Sequence, residues 1–191
     1  MKNKSNFSEI FAPIITLVVI CLVVAGALAG TYGVTKPIID RNAERDANIA
    51  RTELLPAAEG EFEEYNGKLA VLEKDKVFVD NCYKAKNGEG IVVTVKTKSY
   101  GGLLTAMIGI DKDGAITNIK VTEHGDTPGV GTKAQDPKHL NQYKGLNKLG
   151  DQNIKNDTTV QAVSGATVSS TGIHKAAWCA LDQFKNMGGV K

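Results

Sequence analysis

Residues 10 to 35 carry no charged side chain, and within them FAPIITLVVICLVVAGALAG, Phe11 to Gly30, is almost wholly apolar. A helix rises 1.5 Å per residue, so about 20 such residues cross a hydrocarbon core of roughly 30 Å. The run therefore predicts one membrane-spanning helix over residues 11–33. Two other readings use the same residues. The ALA at 27–29 imitates the small-residue cleavage site of a signal peptide, and Cys21 could end a lipoprotein signal. Ile20 is bulky where a lipoprotein signal has a small residue, and the run exceeds the usual signal core of about 7 to 15 residues.

Lys2 and Lys4 precede the span, whereas the chain after it is neutral up to Lys36. Basic residues favour the cytoplasmic side, which predicts residues 1–10 in the cytoplasm and the rest of the chain outside the cell (inner) membrane. Gly26 and Gly30, with Ala29 and Gly33 beside them, form a small-residue face that admits a partner helix; a plain lipid-facing anchor fits these residues as well. Beyond the span, TKPIIDRNAERDANIARTELLP reads as a polar helical stalk over 34–56, opened by Pro37 and stopped by Pro56.

Residues 57–191 form a domain of ordinary size. From Lys36 onward there are 21 basic against 20 acidic side chains, so the domain lacks the dense basic footprint of a nucleic-acid binder. A weak strand pattern starts between Leu69 and Val79, and three clear strands follow: GIVVTVKTKS, LLTAMIGID and AITNIKVTE. Gly101-Gly102 and Asp111–Gly114 suit the tight turns of an antiparallel meander. DPKHLNQYKGL reads as a helix capped by Asp136, and TTVQAV as one more strand. The last element has Ile173, Ala177, Ala180, Leu181 and Phe184 at helical spacing, Ser169 or Ser170 as cap and Gly188-Gly189 as stop. The predicted class is α+β: a single membrane helix and stalk, then an antiparallel sheet with a C-terminal helix on it.

Just before that helix lies AVSGATVSS, 162–170. It gathers four hydroxyls around a Gly-Ala step, yet no base lies beside them in sequence, as a hydroxyl nucleophile requires. A helix start suits a phosphate, because its first N–H groups are free and the dipole is positive there. A turn rich in capping hydroxyls explains the same composition.

SGATVSS near the C-terminus resembles the S/T-G-A-T flavinylation motif of the FMN-binding domain family, and EHGDTPGVG, 123–131, resembles that family's E-T-P-G-L-G motif. The resemblance covers essentially the whole chain. It implies FMN joined through its phosphate to Thr167, with Ser164, Gly165 and Ala166 forming the turn before it and Ser169 filling a hydroxyl position after it. Thr127, Pro128, Gly129 and Gly131 match the second loop, beside the cofactor. Asp126 stands where the family has glutamate and Val130 where it has leucine. The resemblance further implies a separate flavin transferase that makes the bond using FAD and magnesium, which accounts for the missing base. Its functional implication is an electron-carrying subunit of a membrane-bound, ion-translocating ferredoxin:NAD oxidoreductase, with the other membrane subunits as partners. A free-standing anchored flavoprotein and a non-redox binding domain are the rival expectations.

His124, His139 and His174 show no metal-ligand spacing and are expected to be structural or exposed. Trp178 and Tyr100 are candidates to stack on a flavin ring. Cys82 and Cys179 pair only if the fold brings them together, and otherwise are buried thiols.

Overall fold

The computed structural model describes residues 5 to 190, with side chains from residue 11. Lys2 and Lys4, on which the expected orientation rests, lie outside the described residues. Two compact units divide at Ala47 and Asn48.

Helix α1, Ser5–Leu54, makes up the first unit and continues into the second, and it passes through Pro13 and Pro37 without a break. Pro37 thus does not open a new helix. One proline removes a single hydrogen bond from a helix of 50 residues, and the bonds on either side form one cooperative ladder. The apolar side chains from Phe11 to Ile39 are exposed; Leu22, Val23 and Leu28 are each about two-thirds uncovered. A helix apolar all round is stable where lipid surrounds it, and this one is long and apolar enough to cross a membrane.

The second unit is built on an antiparallel sheet. Its strands are β1 (Phe62–Glu64), β2 (Val71–Glu73), β3 (Val77–Ala85), β4 (Gly90–Ser99), β5 (Gly102–Asp111) and β6 (Ile116–Glu123). The order is β1-β3-β4-β5-β6, with β2 also pairing with β3. The expected hairpins form, and Gly90 to Ser99 pair with Asp111 to Gly102 in unbroken register. Side chains alternate across a strand, and the two central strands are buried on both faces. Ile91, Val93 and Val95 of β4 and Leu104, Ala106, Ile108 and Ile110 of β5 join the larger core. Val92 and Met107 point the other way, into a smaller core with Ala50, Leu54, Leu55 and Ala58. Gly109 permits that second contact: a Cβ there would lie 2.5 Å from the Leu54 carbonyl.

Helix α3, Thr167–Asn186, supplies Ile173, Ala176, Ala177, Ala180 and Leu181 to the larger core. Gln183 is fully buried beside them, donating to the Lys68 carbonyl (3.3 Å) and accepting from the Ala70 N–H (2.6 Å). Two of the sequence readings are corrected between the sheet and α3. The Asp136 segment is a one-turn helix α2, Pro137–Leu140, followed by a tighter turn, and the Asp136 side chain does not cap it. TTVQAV is no strand. Its backbone donors are taken by side chains: Thr159 N–H by Asp157 Oδ1 (2.7 Å), Gln161 N–H by Gln142 Oε1 (2.9 Å) and Val163 N–H by Ser170 Oγ (3.1 Å).

Candidate functional site

The turn before α3 is set by Gly165, whose φ of 81° lies in the left-handed region, and is closed by Ala166 N–H donating to the Val163 carbonyl (3.0 Å). The helix then starts at Thr167, earlier than the serine cap predicts. Ala166 occupies the N-cap without a side-chain hydrogen bond, because Ser170 Oγ is taken by Val163 N–H and Ser169 is turned inward. The first-turn N–H groups of α3 therefore have neither helical partners nor a side-chain cap. Thr167 is half-buried, and its hydroxyl makes no hydrogen bond among the described residues.

Asp126 joins three segments at this point. It is buried, and its carboxylate accepts from Ser99 Oγ (2.8 and 2.7 Å) and from the Gly101 N–H (2.8 Å). Burial alone would raise the Asp126 carboxyl, but Ser99, Gly101, the nearby Ser169 hydroxyl and the charge of His124 outweigh it, and the group is held below the usual carboxylate range. Two close approaches reinforce the join. A Cβ on Gly101 would stand 2.0 Å from the Gly125 carbonyl oxygen, and one on Gly131 would stand 2.9 Å from Asp126 Cγ and 3.0 Å from Ser169 Oγ. Ser169 Oγ is fully buried and turned toward the Asp126 carboxylate, just outside normal hydrogen-bond geometry.

Above this join lies a cleft of about 380 Å³, lined by Tyr100, Val130, Gly131 and the run Gly165 to Ser169. Tyr100, Val130 and Val168 are each half or more exposed, so apolar surface is displayed around the start of a helix. Of the residues expected at the site, Gly131, Gly165, Ala166, Thr167 and Ser169 line the cleft, and Ser164, Thr127, Pro128 and Gly129 do not. Ser164 is an exposed corner of the turn. Thr127 shapes the second loop, its carbonyl accepting from Val130 and Gly131 N–H (both 3.1 Å), while Gly129, with φ of 75°, donates its N–H to Thr132 Oγ1 (2.8 Å). Sequence reasoning treated Asp126 and Val130 as departures from a motif, and the fold makes one the hub and the other a wall.

The remaining candidates are structural. Trp178 is half-buried against the core, away from the cleft. His124 is exposed. His139 and His174 are buried; His174 Nδ1 lies 3.3 Å from Tyr143 Oη and Nε2 lies 2.8 Å from the Asp151 carbonyl. Cys82 and Cys179 are buried free thiols.

These residues fit FMN. Free N–H groups and an available hydroxyl suit its phosphate, and the apolar rim suits a flat aromatic ring. The family model described as FMN-binding domain matches residues 99–182, which takes in all three converging segments. The G subunit of an ion-translocating oxidoreductase complex from Methanosarcina acetivorans is 33% identical over 190 residues, covering 97% of this chain and 100% of that one. The G subunit of the proton-translocating ferredoxin:NAD(+) oxidoreductase complex of Clostridium ljungdahlii is 26% identical over 199 residues, covering all of both chains. The crystal structure of Shewanella oneidensis NqrC aligns with a TM-score of 0.44 at 23% identity, over 61% of this chain and 69% of that one. The chain belongs to the family of G subunits of the ion-translocating oxidoreductase complexes, and its folded unit carries an FMN-binding domain.

Proposed function

We propose that this protein is the electron-transfer subunit of a membrane-bound ferredoxin:NAD oxidoreductase coupled to ion translocation, and that it holds FMN by a phosphoester to Thr167. The observation that carries the reading is the placement of Thr167. Its free hydroxyl stands in the first turn of α3, where N–H groups are uncapped, and at the edge of a cleft with an apolar rim. Residues 11–33 span the membrane, 34–56 form the stalk, and 57–191 lie outside, with 1–10 in the cytoplasm. The uncharged run and the exposed apolar surface of α1 support the anchor, and the lysines before the run support the orientation.

When bound, FMN supplies one- and two-electron transfer. The chain supplies retention and placement. Thr167 provides the tether, so the cofactor is not lost from the outer face of a membrane. Gly165 sets the turn that presents the hydroxyl, and the N–H groups of the first helical turn lower the cost of a negative charge beside it. Tyr100, Val130 and Val168 present apolar surface to the ring on one side of the cleft. Asp126 and Gly131 keep the loop after β6 against the helix start. The bond to Thr167 is made by a flavin transferase, which passes FMN from FAD to the hydroxyl and releases AMP; the buried carboxylate at the join, Asp126, is already occupied by Ser99 and Gly101. Intact-mass measurement of protein produced with a flavin transferase tests this. A single FMN adduct is expected in the native sequence and none in Thr167→Ala, and an adduct that survives the substitution refutes the assignment.

A further inference from the structure

A second cleft, of about 480 Å³, shares Thr167 and Val168 with the first. Its walls carry four lysines, Lys76, Lys98, Lys155 and Lys175, against one carboxylate, Glu73. That carboxylate is already committed. Lys175 hydrogen-bonds to it as an ion pair, Lys76 stands 3.9 Å away, and the two hold the Glu73 carboxyl below its usual range against the opposing effect of burial. Lys98 and Lys155 have no carboxylate within 4.0 Å among the described residues. In a domain whose charges nearly cancel, unopposed positive charge is thus concentrated beside Thr167.

Both lysines sit on well-fixed backbone. Lys98 is the last residue but one of strand β4; its N–H donates to the Lys76 carbonyl (2.8 Å), and a Cβ on Gly172 would lie 2.9 Å from the Lys98 carbonyl oxygen. Lys155 lies on a loop wound around the buried Asp157 carboxylate, which accepts from Gly150 N–H (2.8 Å), Thr159 N–H (2.7 Å) and Thr159 Oγ1 (2.5 Å). His174 of α3 fastens the same loop through the Asp151 carbonyl. The Lys155 N–H donates to Asn153 Oδ1 (3.1 Å), and Asn153 and Thr171 add polar groups to the cleft.

We propose that Lys98 and Lys155 are ligands of the phosphodiester on Thr167, so that the two clefts divide the cofactor: the basic one takes the phosphate and the apolar-rimmed one takes the ring. The inference rests on the reading that Thr167 carries FMN through its phosphate. A phosphodiester bears a full negative charge, of which a helix start compensates about half. Charge-assisted bonds from lysine supply the remainder. An acidic protein surface is the competing occupant. Thr167 itself lines the cleft that holds these two exposed lysines, and that favours the phosphate.

Phosphorus-31 NMR of the flavinylated full-length protein in detergent tests the assignment. The pair Lys98→Gln and Lys155→Gln is compared with a control pair, Lys144→Gln and Lys148→Gln, which removes the same charge outside the cleft, and all proteins are first shown to melt alike. A phosphodiester resonance displaced in the cleft pair and unmoved in the control supports the proposal, and a resonance at the native position in both overturns it. Should the glutamine pair take up no flavin, the pair Lys98→Arg and Lys155→Arg decides: uptake there supports the need for charge, and failure of both pairs overturns the assignment. A native protein with no covalently held phosphorus refutes the Thr167 reading itself, and the proposal with it.

Discussion

Asp126→Asn tests whether one buried carboxylate holds the site together. The native carboxylate receives a hydroxyl and a backbone N–H at 2.7 to 2.8 Å, with the Ser169 hydroxyl close by. Hydrogen bonds to a charged group contribute about 1.5–3 kcal/mol each, and asparagine keeps an accepting oxygen but loses the charge that strengthens the bonds from Ser99 and Gly101. The substitution is therefore expected to cost about 2–3 kcal/mol at pH 7. In a unit of this size that lowers the melting temperature by roughly 5–10 °C. The pH dependence gives the sharper check. The folded-state pKa of Asp126 is depressed, so its contribution is fully present above the unfolded value near 3.9 and is lost as pH falls through the lower folded value. Denaturant unfolding of both proteins in detergent, repeated from pH 7 to pH 2, should give a stability difference that is constant down to about pH 4 and shrinks below it. A difference that stays constant to pH 2, or that is absent at pH 7, refutes the role given to the charge.

Three further perturbations probe the frame. Ile108→Ala removes a fully buried β5 side chain of the larger core and should cost about 2–5 kcal/mol in denaturant unfolding; a loss under about 1 kcal/mol contradicts the packing described. Gly101→Ala forces a methyl onto the Gly125 carbonyl, so the loop 124–131 should become more sensitive to limited proteolysis while the sheet stays folded; unchanged cleavage argues that the loops are not joined there. Burial pushes the Cys82 thiol up to about 12 and the Cys179 thiol up to about 11, so a polar thiol reagent at pH 8 should label neither until denaturant is added, and labelling of either in the folded protein contradicts their burial.

The elements legible in the sequence are those fixed by local chemistry. The anchor, the three long strands with their glycine turns and the face of the last helix all follow from patterns a few residues wide. The misreadings share one cause, which is that a distant side chain took a role the local pattern assigned elsewhere. TTVQAV has the composition of a strand, but Asp157, Gln142 and Ser170 take its donors. The helix starts at Thr167 rather than at the serines because Ser169 and Ser170 turn inward. At the site, the SGAT turn was legible as a string. Tyr100, Asp126, Lys98 and Lys155 acquire their places from the meander and the 150–159 loop, which put residues from three segments around one threonine.

Fragmentation of the tryptic peptide 156–175 from flavinylated protein examines the Thr167 bond most directly, because that peptide contains Thr167 and the serines on either side of it. The flavin mass should be carried by Thr167, with Ser164, Ser169 and Ser170 unmodified. Flavin mass on one of the serines, or on no residue of the peptide, contradicts the assignment.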